Sequence, residues 1–211
     1  MYIDKTYPFE VNCFSYFNAL EKCLGTISLL NHYNNIYCVH VNNLNNLLSK
    51  YPFLQKYSLD ELIYNYNLFK IDEKDELYKL SSAVSAHHVF FNSLTSCKQD
   101  VYTLPIYSAI LNSFGSLDGF YDEFKKCALS LVGSGYVYLT CDKNLKLSIV
   151  KTTNYDTPIV HNLYPLLALD MWEHSYFLKF NTDKSLYIDN FLSCLNFEYA
   201  NSEYLECKKC V

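Results

Sequence analysis

The apolar positions of this chain follow two periods in succession. Across residues 16–49 they recur every three or four residues, with Leu29, Leu30, Val39, Val41, Leu44, Leu47 and Leu48 on one broad side, which predicts helix. Residues 59–69 and 77–95 repeat that pattern. Pro105 and the break Ser113-Phe114-Gly115-Ser116 mark a change of regime. Ser116 can cap a helix over about 117–131, and Asp118 in its first turn suits the positive end of the helix dipole. Beyond it the period shortens to two. Tyr136-Val137-Tyr138-Leu139-Thr140-Cys141 reads as a strand, Asp142-Lys143-Asn144 as a turn, and 145–152 as the return strand of a hairpin. A short apolar strand follows at 164–169, and Asp183 caps a final helix over about 184–196. The layout is α+β: a helical first half, then helices with a small antiparallel sheet.

Composition narrows the function classes. The chain has 211 residues, half of them hydrophobic, with 17% aromatic, so it folds around a substantial core. The 21 tyrosines mean that many buried rings must satisfy a hydroxyl. Net charge is −5, with no basic run, which leaves nucleic-acid binding without electrostatic support. No stretch of apolar residues is long enough to cross a membrane. Met1-Tyr2-Ile3-Asp4-Lys5 lacks the basic and apolar regions of a signal peptide, and the nine cysteines are scattered and odd in number. A reducing, cytoplasmic setting is therefore expected. Cys207-Lys208-Lys209-Cys210 is a lone pair of thiols without the second pair that zinc needs, and it reads as a polar tail.

One segment carries chemistry. Asp170-Met171-Trp172-Glu173-His174 sets a carboxylate and an imidazole four residues apart, at the end of the apolar run Tyr164-Pro165-Leu166-Leu167. Two such groups reach one point in space from a helix face, or from a strand end running into a helix. Imidazole with carboxylate suits a borderline transition metal better than Mg²⁺ or Ca²⁺.

Asp170-Met171-Trp172-Glu173-His174-Ser175-Tyr176 resembles the D-x-W-E-H-A-Y signature of the iron/manganese superoxide dismutases. Three more stretches are similar to that family. They are Gly133-Ser134-Gly135-Tyr136-Val137-Tyr138-Leu139 (G-S-G-W-x-W-L), Phe114-Gly115-Ser116 with Phe120 and Phe124, and Asn18-Ala19-Leu20-Glu21 followed by His32 and Asn42-Asn43-Leu44-Asn45-Asn46-Leu47. The resemblance spans nearly the whole chain. It implies an N-terminal helical hairpin domain, residues 1–98, followed by an α/β domain with a three-stranded antiparallel sheet, residues 99–211, and a metal site between the two. It also implies one Fe or Mn ion per chain, held by His32, His87, Asp170 and His174 with solvent as a fifth ligand. Adjacent His87 and His88 point about 100° apart on a helix. Lining up Val89-Phe90-Phe91-Asn92 with the family's F-Y-W-N assigns the ligand to His87.

The implied activity is disproportionation of superoxide by a cytoplasmic homodimer. The surroundings of the ligands depart from the family. His40 stands where a gating Tyr is usual. Ile36 and Phe177 replace a His–Tyr pair that meets across the dimer. The two places that supply a Gln to the bound solvent hold Ala83 and Tyr155, and Tyr136, Tyr138 and Phe91 replace a tryptophan wall beside Trp172. Two expectations follow: Tyr155 supplies the missing hydrogen bond, and His40 delivers protons with an ordinary pKa of about 6.5. Glu173 is expected to reach the partner's ligand histidine. The altered surroundings also admit a weak or inactive metal-binding relative with a structural role.

Overall fold

In the computed structural model, which describes residues 6–209, helices fill the first half, and a small sheet with covering helices fills the second. Residues Met1 to Lys5, where a signal peptide was considered, and Cys210 lie outside the described residues.

The expected helix over 16–49 is interrupted. Phe17–Leu20 forms a single 3₁₀ turn, and α1 (Thr26–His32) starts only after Gly25, whose φ of +83° suits a residue without a Cβ. Glu21 accepts the Thr26 N–H at 2.7 Å, satisfying an orphan donor with a negative charge. A π-helical turn, Tyr33–Tyr37, joins α1 to α2 (Cys38–Ser49).

Helix α3 (Leu59–Tyr64) is shorter than its apolar pattern because a capping box, Ser58 with Glu61, starts it and a 3₁₀ turn, Tyr66–Leu68, follows it. Helix α4 (Lys74–Asn92) begins earlier than the periodicity suggested and is the most buried helix, packing on α2, α3 and the sheet. Pro105 opens a helix that periodicity alone did not reveal, α5 (Pro105–Phe114); proline at the first helical position loses no hydrogen bond. Gly115 ends it at φ +78°, and Ser116 caps α6 (Leu117–Leu129) by accepting the Gly119 N–H at 2.9 Å.

Strands β1 (Gly135–Cys141), β2 (Leu147–Thr153) and β3 (Tyr164–Asp170) form one antiparallel sheet in the order β2-β1-β3. Fully buried β1 pairs Tyr138 with Val150 on one side and with Ala168 on the other. Pro165, which cannot donate to a ladder, sits on edge strand β3 at the register shift between Leu139 and Thr140. Helices α7 (Glu173–Phe180) and α8 (Lys184–Ser193) follow, with Asp183 accepting the Leu186 N–H. The expected polar tail is instead a helix, α9 (Phe197–Lys209), which buries Phe197, Ala200 and Cys207 and packs on β3. Its apolar face is narrow, so the charges around Cys207 concealed it.

Candidate metal centre

Strand β3 ends on Asp170, and its carboxylate turns the chain: Oδ1 accepts the Trp172 N–H at 2.7 Å before α7 begins. This turn brings His174, in the first turn of α7, back to the same carboxylate. Buried Tyr187 on α8 donates to the Asp170 carbonyl at 2.7 Å and fixes the strand end.

His32 closes α1, and His87 comes from the middle of α4, both buried. All three imidazoles aim Nε2 at Asp170 Oδ2: His32 and His174 at 3.3 Å, His87 at 3.8 Å. The four donor atoms lie within 4.8 Å of one another. Ligands about 2.0–2.2 Å from a common ion sit about 3–4 Å apart, so this spacing fits a metal. The orphaned lone pairs point the same way: buried Nε2 of His32 and of His87 makes no well-directed hydrogen bond. Their other nitrogens are held. His87 Nδ1 lies 2.7 Å from the Ala83 carbonyl, which fixes the tautomer with a bare Nε2, and His32 Nδ1 lies 3.4 Å from Ser175 Oγ.

Burial lowers the pKa of His32 and pushes that of His87 well below the usual imidazole range, keeping both neutral. Burial opposes ionisation of Asp170, but His174 and His32 outweigh it and hold the carboxyl well below the usual carboxylate range. Neutral imidazoles at His32 and His87 and an ionised Asp170 are protonation states that suit a metal ion. His88 faces elsewhere, its Nε2 lying 3.3 Å from Asn12 Nδ2.

Aromatic rings wall the cluster. Phe90 stacks on His32, Tyr37 on His87 and Trp172 on His174, with Tyr136, Tyr138 and Phe91 buried behind them. His40 and Tyr155 stand at the mouth in contact, His40 Nε2 lying 3.1 Å from Tyr155 Oη. Tyr155 also stacks on Trp172 with centroids 4.7 Å apart, and His40 lies 5.4 Å from the His87 ring. The π turn explains how His40 gets there. Eight residues along an unbroken α-helix end about 80° from the starting face; one extra residue in a π turn cuts that to about 20°. The expected ordinary pKa for His40 does not hold: burial first, then His174 and Lys79, push it down to about 4, so the ring is neutral near pH 7. Burial and Asp170 raise the Tyr155 phenol to about 12. A pocket of about 520 Å³ opens beside Tyr155 and Trp172, with Lys79 on its rim.

Ile36 lies in the π turn, half-buried; Phe177 and Glu173 are exposed on α7. Sequence reasoning missed Tyr37, Phe90, Ser175 and Tyr187. For Ser175 a signal was present, since it replaces the Ala of D-x-W-E-H-A-Y. Tyr37, Phe90 and Tyr187 are ordinary apolar-face residues in the sequence and carry none.

The family model for iron/manganese superoxide dismutases, C-terminal domain, matches residues 103–203. Among curated relatives, "Superoxide dismutase [Mn] 1" of Leptolyngbya boryana is 32% identical over 193 residues, covering 90% of this chain and 78% of the relative. "Superoxide dismutase [Mn]" of Listeria innocua is 31% identical over 188 residues, covering 89% of this chain and 93% of the relative.

Proposed function

The chain belongs to the iron/manganese superoxide dismutase family, and from that premise we propose that it disproportionates superoxide to oxygen and hydrogen peroxide. One Fe or Mn ion per chain would be held by His32, His87, Asp170 and His174. The observation that carries this reading is the convergence of four buried or half-buried donor groups on one point, with two lone pairs left without hydrogen bonds. Held there, such an ion would supply the one-electron redox chemistry that superoxide disproportionation needs. The ligands come from both sides of a proposed domain boundary near residue 98.

The remaining work falls to the chain. Superoxide is an anion, and the pocket beside Tyr155 carries both Lys79, paired with Glu76 at 3.4 Å, and Asp156. Reduction to peroxide consumes protons, and Tyr155 Oη with His40 Nε2 is the hydrogen-bonded pair at the mouth. Buried His40 Nδ1 has no hydrogen-bond partner among the described residues, which favours the tautomer with hydrogen on Nε2. That hydrogen then rests on Tyr155 Oη, and the phenol's own hydrogen is free to point inward, in the role the family gives to Gln. The walls of Phe90, Tyr136 and Tyr138 exclude water and strengthen each interaction inside.

The reading includes a homodimer. Ile27 on α1 and Phe177 and Leu178 on α7 are exposed apolar residues on packed helices, and Glu173 lies on the same helix. His174 is 22% exposed, and among the described residues its Nδ1 makes no hydrogen bond. Glu173 of a second copy would supply that partner. A reducing, cytoplasmic compartment fits the scattered thiols; no described helix is long and apolar enough to cross a membrane.

The test is to purify the protein, measure bound metal and assay superoxide removal per metal. Stoichiometric Fe or Mn with superoxide removal is expected. Full metal loading without superoxide removal would favour a non-catalytic relative, and absence of metal from a folded preparation would refute the site.

A further inference from the structure

Two pairs of cysteines approach one another away from the metal centre. Cys141, at the end of β1, and Cys207, on α9, both donate to the Asp142 carbonyl, at 3.5 and 3.9 Å. Both are buried, and burial with the second thiol raises Cys141 well above the usual thiol range. Neither of these thiols is open to solvent.

The second pair differs. Cys23 lies in the turn ahead of α1 and is half-exposed; Cys194 lies just past α8 and is buried. Ser193 Oγ is 3.9 Å from Cys23 Sγ, which brings that sulfur against the end of α8. Lys179 reaches the same turn, its Nζ donating to the carbonyls of Glu21 and Lys22 at 2.5 and 2.8 Å. Burial, and then Cys23 beside it, raises the Cys194 thiol above the usual range, as happens at Cys141; what sets this pair apart is that Cys23 is partly open to solvent.

We propose that Cys23 and Cys194 are a peroxide-sensitive pair that closes to a disulfide, tying the turn before the ligand-bearing α1 to the end of α8. Cys23 thiolate attacks one oxygen of hydrogen peroxide; the O–O bond breaks, Cys23 becomes the sulfenic acid, and the other oxygen leaves as water after protonation. Cys194 then attacks that sulfur, an S–S bond forms, and the sulfenic oxygen departs as a second water. Both thiols are oxidised and one peroxide is reduced. The inference rests on the proposed function only for the source of peroxide.

The experiment adds hydrogen peroxide to the purified full-length protein, so its outcome does not depend on superoxide turnover. The mass should fall by two hydrogens per disulfide, and peptide mapping should join Cys23 to Cys194 before any bond involving Cys141 or Cys207 forms. Dithiothreitol should reverse it. In Cys194→Ala, Cys23 should accumulate as a sulfenic acid that dimedone traps. A bond from either residue to Cys97, direct over-oxidation of Cys23 in the unsubstituted protein, or an unreactive Cys23 in Cys194→Ala would each overturn the proposal. Superoxide removal, assayed on the same sample, reports separately on the function.

Discussion

His40 Nε2 and Tyr155 Oη meet at 3.1 Å across 115 residues of sequence, at the mouth of the His/Asp cluster. Groups that act as a unit are not additive when removed. His40→Gln and Tyr155→Phe should each lower superoxide removal per bound metal about tenfold, and the double variant should fall little further. Losses that multiply would show two independent roles.

Of the four proposed ligands, His87 has a tight anchor on its far side, its Nδ1 lying 2.7 Å from the Ala83 carbonyl. His87→Ala should bind less than stoichiometric Fe or Mn. Loading the unsubstituted chain at about 100 times Kd should contribute about 2.7 kcal/mol, a Tm rise of about 5–10 °C. The variant should show almost none of that rise in calorimetry.

Glu203 on α9 gives a pH signature remote from the metal. Burial, then Asp60 and Glu206, raise its carboxyl from 4.5 to about 7. The folded state therefore binds a proton that the unfolded state releases. The stabilising contribution is full below about pH 4.5 and is lost as pH rises through about 7. Glu203→Gln should leave Tm unchanged at pH 4.5 and raise stability at pH 8.5 by about 1–2 kcal/mol, the shift being discounted for partial exposure. Equal effects at both pH values would refute it.

A Cβ added to Gly135 would lie 2.0 Å from the Thr152 carbonyl oxygen, in the strand pair that supports Tyr136. A backbone collision of this kind has no flexible side chain to relieve it. Gly135→Ala should cost at least about 2–3 kcal/mol, read as a lower urea midpoint.

Phe177 is 52% exposed beside Leu178 at 58%. If this face pairs two copies, Phe177→Asp should shift sedimentation from dimer to monomer and lower metal content, because His174 would lose the proposed contact to Glu173. A dimer that persists with full metal would show that the face lies elsewhere.

Much of the fold was legible because local chemistry announces itself. The caps Ser116 and Asp183, the aromatic and β-branched run of β1, and the turn at Asp142 to Asn144 all did so. Two helices escaped. Pro105 was read as a break although proline is also a favoured helix start, and α9 hides a narrow buried face among charges. The π turn was invisible, since it depends on which carbonyl each N–H reaches rather than on residue type.

The sequence by itself determined the donor set, because Asp170 and His174 share a rigid local motif and the other ligand positions follow from family resemblance. Only the tertiary structure decided what those donors face. The contact between His40 and Tyr155 needs the π turn and the loop after β2 to meet, and the bare lone pairs of His32 and His87 need Ser175 and Ala83 on their far sides. Burial is a property of the packed chain, and it is burial that took His40 from an ordinary imidazole to one that stays neutral near pH 7.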